Sequence, residues 1–398
     1  MNRHARLPWT LGEKFSDDDW TSIVPRKKDN MPLLIDAHLD LAWNALSFDR
    51  DLTEPVEAIN VRERGMTDSP ARGHATVALP EMRRGQVAVC LATLLAHARP
   101  DLRPAEGHKR ISLEFRSPAA AYAIAQGQLA YYRLLETGGE CVVLQSSDEL
   151  RAHWNRCASN PQAVVEQTTP IGLILAMEGA DAIVSPSQAA AWFQQGLRVV
   201  GLVHYGHNQY AFGTGESGPL TGAGRALLHE LKRLGILLDV THLCDESFFQ
   251  AVDVYDGPML ASHQNCRALV PGVRQFSDEQ LRLLIDRGAV IGVAFDNWML
   301  VPGWKTGETP RSEATLAKIA DHVDHLCQLA GSHRHVAIGT DLDGGYGSEQ
   351  SPIEIETIGD VQKLANVLAR RGYTRSAIDD VFHGNWLRFF TQHLPRSA

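Results

Sequence analysis

Eight short apolar runs alternate with helical patterns along this chain of 398 residues, and this alternation constrains the fold more than any other feature. The runs cover residues 33–37, 87–95, 171–177, 198–203, 236–241, 258–262, 289–295 and 335–340. They are apolar at consecutive positions, as parallel strands covered by helices on both faces must be. Eight β–α units in one chain of this length favour a closed (β/α)8 (TIM) barrel of the α/β class over an open sheet.

The segments between the runs carry helix signals and are uneven in length. Residues 277–280 form a capping box, and Gly235 follows a leucine-rich helical pattern. The connections 41–86 and 97–170 are long, and the second contains helical patterns at about 117–136 and 147–156. Long loops after barrel strands usually build the pocket. We therefore expect a barrel domain over residues 32–392, preceded by an N-terminal extension over residues 1–31.

Composition excludes several classes of partner. The formal net charge is −9 and the chain has no Lys/Arg run, so nucleic acid is not expected as a partner. The first 30 residues lack the apolar stretch of a signal peptide, and no run is long enough to span a bilayer. None of the six cysteines forms a CxxC pair. These features predict a cytoplasmic protein without membrane contact.

Polar side chains follow six of the eight apolar runs. The first run ends in His38 and Asp40, two positions apart, and residues at that spacing point to the same side of a strand. The further residues at run ends are Glu178, His204, His242, His263 and Asp341. The carboxyl ends of barrel strands meet at one face, so these side chains are expected to converge. Three converging carboxylates would repel one another unless a cation lay among them, so the pattern predicts a metal site.

The number of ligands suggests two metal ions. His38 and Asp40 can hold one ion, His242 and His263 can hold the other, and Glu178 can bridge them. Two such ions would deprotonate a shared, bridging water, and Asp341 would accept its proton and later pass it to a leaving amine. His204 is then left to donate to the oxyanion, or to support Glu178 or another ligand.

These residues lie in motifs that resemble the renal (membrane) dipeptidase family of the amidohydrolase superfamily. The matching motifs are Asp36-Ala-His38-Leu-Asp40-Leu, Met177-Glu178-Gly179, Leu234-Gly-Ile-Leu-Leu-Asp-Val-Thr-His242, Ala261-Ser-His263, Val273-Arg274-Gln-Phe-Ser-Asp278, Asp321-His-Val-Asp-His325, Gly339-Thr-Asp341-Leu-Asp343-Gly344 and Gly384-Asn385-Trp-Leu-Arg388. The resemblance covers roughly residues 32–392. It implies an amidohydrolase-like barrel with a binuclear zinc site, and a hydrolase that cleaves dipeptides.

The resemblance also implies roles for individual residues. His38 and Asp40 would bind one zinc ion, His242 and His263 the other, and Glu178 would bridge both in place of the carboxylated lysine of many relatives. His204 would bind substrate, and Arg274 would bind the C-terminal carboxylate, for which a guanidinium offers two parallel donors. Relatives often form homodimers, which makes a homodimer an open expectation.

The chain also departs from the family pattern. Leu39 stands where relatives often carry Asn, Ala42 where they often carry Pro, and the loop 204–210 is unlike theirs. These departures leave side-chain specificity open, including tolerance of a D residue at the C-terminal position of the dipeptide. Two other readings also stay open. One is another amidohydrolase-type hydrolase, such as an N-acyl amino acid deacetylase or a lactonase, and the other is an inert binding protein on a barrel scaffold.

Overall fold

The computed structural model describes residues 31–105 and 107–397. The strands are β1 (Leu34–Leu39), β2 (Val87–Leu94), β3 (His97–Ala98), β4 (Glu114–Phe115), β5 (Cys141–Val143), β6 (Ile171–Met177), β7 (Leu197–Gly201), β8 (Leu237–Asp239), β9 (Met259–Leu260), β10 (Ile291–Val293) and β11 (Val336–Ile338). The predicted N-terminal extension, apart from residue 31, lies outside the described residues.

Fourteen α-helices occur in the described part of the chain. They are α1 (Leu41–Ser47), α2 (Val56–Arg62), α3 (Leu79–Arg84), α4 (Pro118–Thr137), α5 (Ser147–Ser159), α6 (Pro161–Val165), α7 (Ala189–Gln194), α8 (Gly222–Leu234), α9 (Asp245–Val254), α10 (Asp278–Asp286), α11 (Leu316–Ala330), α12 (Lys363–Arg370), α13 (Arg375–Asp379) and α14 (Asn385–His393). Both helices predicted in the connection 97–170 are present, as α4 and α5.

Eight of the strands form a parallel ring. Six are hydrogen-bonded in the order β1-β2-β6-β7-β8-β9, and β10 pairs with β11. A parallel bridge between Ala261 and Ile291 joins these two groups. At the closure, Thr340 beyond β11 donates its backbone N–H (2.9 Å) and its hydroxyl (2.6 Å) to the Asp36 carboxylate in β1. The predicted (β/α)8 barrel is therefore confirmed, with one strand in each predicted apolar run.

Alternate residues of the strands belong to two separate apolar clusters. Ile35 and Val89 contact one cluster, whereas their neighbours Leu34 and Cys90 belong to the other, which includes the helix faces. This is the in–out alternation of a barrel strand. The first cluster also contains Trp386 and other aromatic residues of α14, together with residues at or next to the start of several strands. Helix α14 therefore closes the amino-terminal end of the barrel, and the carboxyl ends of the strands remain open.

Local signals set the helix boundaries as predicted at two clear positions. The Ser277 hydroxyl accepts from the Gln280 backbone N–H, and the Gln280 side-chain oxygen accepts from the Ser277 backbone N–H. This pair of bonds is the capping box that begins α10. Gly235 ends α8 in the left-handed conformation, with φ at +73°. The short strand β5 beside β6 is an addition that hydrophobic periodicity did not predict. Among the described helices, none combines the length and the apolar character needed to cross a membrane.

Candidate metal centre

The end of β1 supplies the first two candidate ligands. His38 lies in the last part of the strand, and Asp40 follows it at the start of α1. The His38 Nε2 and Asp40 Oδ2 atoms are 3.8 Å apart, so the two side chains face one point as their spacing predicted. The Thr93 hydroxyl, on the neighbouring strand β2, donates to Asp40 Oδ1 and holds the carboxylate in place.

Glu178 stands at the centre of the histidines. It follows β6, and its backbone N–H bonds to the Leu94 carbonyl of β2. Its Oε1 atom lies 3.1 Å from His242 Nε2, 3.3 Å from His263 Nε2 and 3.4 Å from His38 Nε2. Side chains that are up to 225 residues apart in the sequence, from His38 to His263, thus meet at one carboxylate oxygen.

Hydroxyl groups orient the rings from behind. His242 Nδ1 lies 3.1 Å from Thr214 Oγ1, and His263 Nδ1 lies 2.8 Å from Ser262 Oγ. The same Ser262 oxygen is 3.5 Å from His38 Nδ1. A histidine whose Nδ1 carries a proton toward such a partner presents the Nε2 lone pair to a metal. His242 also adopts φ of +70°, a backbone conformation that is uncommon for residues other than glycine.

Burial and close charges shift the pKa values of this cluster in opposite directions. Burial lowers the pKa values of His242 and His263 well below the usual range. Burial also disfavours the charged form of His38, but Glu178 and Asp40 outweigh it and raise its pKa well above the usual value. Burial raises the pKa of Glu178, against the attraction of His38. The cluster without a cation must therefore share protons among groups that would otherwise repel one another.

The donor set fits a divalent metal. Three overlapping groups each bring their ligand atoms within 4.8 Å of one another: His38, Glu178 and His263; Glu178, His204 and His242; and His38, Asp40 and Asp341. Buried His38 Nε2 has no hydrogen-bond partner among the described residues. Buried imidazole nitrogens and carboxylates at this separation are the ligands that zinc and similar ions take. A bound cation would also stabilise the ionised carboxylates and the neutral imidazoles.

Asp341 belongs to the third of these groups, with His38 and Asp40. Its Oδ1 is 3.8 Å from His38 Nε2, and its backbone has φ of +60°. Burial raises the pKa of Asp341 well above the usual value, and the neighbouring Glu178 and Asp40 act in the same direction. A largely buried carboxyl group beside a metal-competent cluster can accept a proton and give it back.

A buried polar network supports the Asp341 loop. Asp343, two residues further on, accepts from the Thr76 backbone N–H (2.8 Å), the Val77 backbone N–H (3.0 Å) and Arg50 (3.4 Å). The Asn44 amide donates to the Asp40 carbonyl (3.0 Å) and to the Asp343 carbonyl (2.9 Å). Asn44 therefore ties the loop of a candidate ligand to the loop of Asp341.

Arg274 and His204 border the cluster on another side. The Arg274 side chain is buried, and its bonds to Gln264 Oε1 (2.8 Å) and the His263 carbonyl (2.9 Å) occupy two of its five N–H groups. His204 Nε2 lies 3.8 Å from Glu178 Oε1, and its ring packs on His242 with centroids 4.3 Å apart. Burial lowers the pKa of His204 well below the usual range, so its ring is neutral.

The cluster opens into a small cleft with a volume of about 90 Å³. It is lined by Asp40, Trp43, Leu95, Leu113, Glu178, His204, Tyr205, His242, Arg274, Asp296, Trp298, Met299, Asp341, Gly344 and Gly345. The structure thus brings the predicted site residues His38, Asp40, Glu178, His204, His242, His263, Arg274 and Asp341 into one region.

Sequence reasoning missed two residues near this cleft. Asp296 follows the run 289–295 and lines the cleft, and His97 follows the run 87–95. The buried ring of His97 lies 4.7 Å from the His204 ring. The other six apolar runs were each assigned a polar residue near their end. Asp296 and His97 occupy the same position after the remaining two runs, so the same pattern could have found them.

Curated relatives share about half of this chain. An uncharacterized protein from the pqqA 5′ region of Klebsiella pneumoniae is 32% identical over 207 residues, which are 50% of this chain and 73% of that protein. The dipeptidase tcpJ of Claviceps purpurea is 28% identical over 223 residues, which are 54% of this chain and 49% of that protein. The chain therefore spans about half the length of that named dipeptidase.

Solved structures with the same fold cover most of the chain. A metallopeptidase from Rhodobacter sphaeroides, liganded with a phosphinate mimic of the dipeptide L-Ala-D-Ala, aligns with a TM-score of 0.71 at 23% identity, over 92% of this chain and 100% of the other. The dipeptidase AC, a metallopeptidase of family M19, aligns with the same score at 22% identity, over 92% and 99%. The family model for membrane dipeptidase matches residues 28–395. This chain therefore belongs to the membrane dipeptidase family, peptidase family M19.

Proposed function

We propose that this chain is a dipeptidase that works with two zinc ions. His38 and Asp40 would hold one ion, His242 and His263 the other, and Glu178 would contact both. The observation that carries this proposal is the convergence of three histidine Nε2 atoms within 3.4 Å of Glu178 Oε1, in a chain of the M19 family. Buried carboxylates and imidazoles in such contact are most simply explained as ligands.

Dipeptides are the substrate class that the site and the relatives support. Several relatives are named dipeptidases, and one structural relative holds a mimic of L-Ala-D-Ala. Arg274 keeps N–H groups for a carboxylate, and its position beside the metal cluster suits the free C-terminus of a two-residue substrate. We extend the proposal to dipeptides with a D residue at the C-terminal position.

The roles of the remaining side chains follow from their positions. When bound, divalent ions supply a Lewis acid and a nucleophile derived from water at neutral pH. Asp341, whose Oδ1 lies 3.8 Å from His38 Nε2, takes up the proton at its carboxylate and passes it to the amine that leaves. His204, as a neutral imidazole with one N–H, donates to the carbonyl oxygen as negative charge develops there.

We also propose that the protein works in the cytoplasm. All six cysteines are free thiols, and all of them are buried. Persistent free thiols suit a reducing compartment. Fractionation of the native host with an antibody against the chain tests this assignment, and recovery outside the cytoplasmic fraction would contradict it.

Elemental analysis of the purified protein, coupled to a substrate panel, tests the activity. The panel contains L-L dipeptides, L-D dipeptides, N-acyl amino acids and lactones. We expect close to two zinc ions per chain, and hydrolysis of dipeptides that stops when a chelator removes the metal and returns when zinc is added. If the metal-loaded protein hydrolyses no dipeptide, the proposal is wrong, and turnover of N-acyl amino acids or lactones would replace it.

The variant Asp341→Asn tests the proton carrier. The amide cannot accept the proton, so kcat should fall by about 10²–10⁴-fold while the metal content stays unchanged. Asp256→Asn, which alters an exposed carboxylate far from the cleft, is the matched control and should keep full activity. Full activity of Asp341→Asn would show that another group carries the proton.

A further inference from the structure

Asp296 is an acidic side chain in the wall of the cleft that the proposed reaction does not use. It follows β10, is only 5% exposed, and lines the cleft together with Arg274, Trp298 and Met299. An apolar residue would fill this position at lower cost, because burying a carboxylate is expensive unless it meets a partner. A buried carboxylate at this position is therefore expected to have a partner.

The contacts of Asp296 leave part of its carboxylate available. Its Oδ1 accepts from the Trp298 backbone N–H at 3.2 Å and from Gln350 Nε2 at 2.8 Å. A carboxylate offers about four acceptor positions, so capacity remains at the cleft wall. Burial raises the pKa of Asp296 to about 7, while the bonds from Trp298 and Gln350 and the charge of Arg274 oppose this rise. A cation in the cleft would favour the ionised form further.

The placement of Asp296 indicates which part of a substrate it meets. This step rests on the proposed function, in which Arg274 binds the C-terminal carboxylate and the scissile carbonyl lies at Glu178. The side chain of the C-terminal residue then lies on the Arg274 side of the cleft, where Asp296 shares the wall with Trp298 and Tyr205. The aromatic rings can pack along an aliphatic stem while the carboxylate meets its charged end.

We propose that Asp296 makes the cleft selective for dipeptides whose C-terminal residue carries a positively charged side chain, such as lysine. A neutral side chain of similar length would lose the charge-assisted hydrogen bond, and an acidic one would be repelled. The competing explanation is that Asp296 only caps the turn at Trp298 and balances the charge of Arg274.

The variant Asp296→Asn separates the two explanations. The asparagine side-chain oxygen can accept the same bonds from the Trp298 backbone and from Gln350, so the variant removes the charge and keeps the cap. The measurement is kcat/KM for dipeptides with the same first residue and lysine, methionine or glutamate as the second residue, in the configuration that the enzyme accepts. Glu308→Gln is the matched control, because Glu308 is an exposed carboxylate in the same β10–α11 connection.

We expect the wild type to prefer lysine over methionine and methionine over glutamate. Asp296→Asn should reduce the lysine-to-methionine ratio of kcat/KM by roughly ten- to a hundredfold, the range for a hydrogen bond to a charged group, and Glu308→Gln should leave it unchanged. The wild-type ranking tests the inference even if the variant fails to fold. A wild type without a preference for lysine, or an unchanged ratio in a folded Asp296→Asn, overturns the inference while the dipeptidase assignment stands. Failure of every dipeptide overturns both.

Discussion

At the scale of single residues, the metal centre depends on side chains that would never touch a metal. The Ser262 hydroxyl lies 2.8 Å from His263 Nδ1 and 3.5 Å from His38 Nδ1, so one hydroxyl orients a histidine for each of the two proposed ions. Ser262, two residues beyond β9, is fully buried, so no solvent can replace this contact. Its role is therefore to fix the ring tautomers and directions.

The variant Ser262→Ala should weaken metal binding without removing any ligand. Loss of a partner behind a ligating histidine typically lowers metal affinity by about 10–100-fold. Titration of the metal-free protein with zinc in competition with a chelator measures this change. Ser187→Ala, at an exposed serine, is the control and should bind zinc as the wild type does. Unchanged affinity in Ser262→Ala would mean that ring packing alone, such as the 3.8 Å contact between His38 and His263, orients the ligands.

The role of a site residue could be predicted from the sequence where few residue types can perform that role. His38, Glu178 and His263 stood out because metal ligands are few in kind and each followed an apolar run. Backbone conformation could not be predicted in the same way. The positive φ angles of His242 and Asp341 depend on contacts from other loops, which no local pattern in the sequence encodes. Asp296 was missed because a single acidic residue after a strand has many ordinary uses.

At the scale of elements, the long connection after β1 supports the Asp341 loop through hydrogen bonds. Arg50, in that connection, forms two bonds to the Glu63 carboxylate, at 2.8 and 3.0 Å, and one to Asn44 at 2.8 Å. It also reaches Asp343 at 3.4 Å. All four side chains are buried, so each charge depends on the others for its hydrogen bonds.

The variant Arg50→Met should destabilise the protein by about 3–5 kcal/mol, because it leaves buried carboxylates without their partner. Arg50→Lys should recover part of this loss, since an ammonium cannot bond both Glu63 oxygens in parallel. Denaturant unfolding of metal-loaded protein measures both. Arg110→Met, which breaks an exposed pair with Asp49, is the control and should change stability little. Equal losses of unfolding free energy in the Arg50 and Arg110 variants would contradict the supporting role of Arg50.

Elements were predictable to different degrees for a physical reason. The eight barrel strands are buried on both faces, so their apolar runs are visible without any knowledge of the partner strands. Capped helices such as α8 and α10 were also predictable, because Gly235 and Ser277 act within one turn. The short strands β3, β4 and β5 were not, since two or three residues carry no periodicity and depend on a neighbouring strand for their pairing.

At the scale of the whole molecule, stability and chemistry lie at opposite ends of the barrel. Helix α14 packs Trp386, Phe389 and Phe390 in one cluster with residues at the start of the strands, such as Leu33 just before β1 and Ala88 in β2. The candidate metal centre lies at the carboxyl ends of the same strands. Barrel enzymes usually have this organisation, with the active site at the carboxyl ends of the strands and stabilising residues at the amino-terminal face.

The variant Phe390→Ala should therefore affect stability and spare activity. Removing a buried phenylalanine costs about 3–5 kcal/mol, because it loses burial and leaves a cavity. At temperatures well below the unfolding midpoint, kcat and KM for the best dipeptide should stay unchanged. Leu387→Ala, at a half-buried position of the same helix, is the matched control and should cost less. A changed kcat in folded Phe390→Ala would show that the two ends are coupled.

The hydrogen bonds between Thr340 and Asp36 have a consequence for the order of events during biosynthesis. Strand β1 carries the first proposed ligand, and its neighbour in the closed ring is β11. Because residue 36 bonds to residue 340, some 300 further residues must be translated before β1 can meet this neighbour. Every proposed ligand has been synthesised by residue 263, but the ring that holds them in position is not yet complete. A nascent chain at that stage carries the ligands without their final geometry, so capture of the ions belongs to the last steps of maturation.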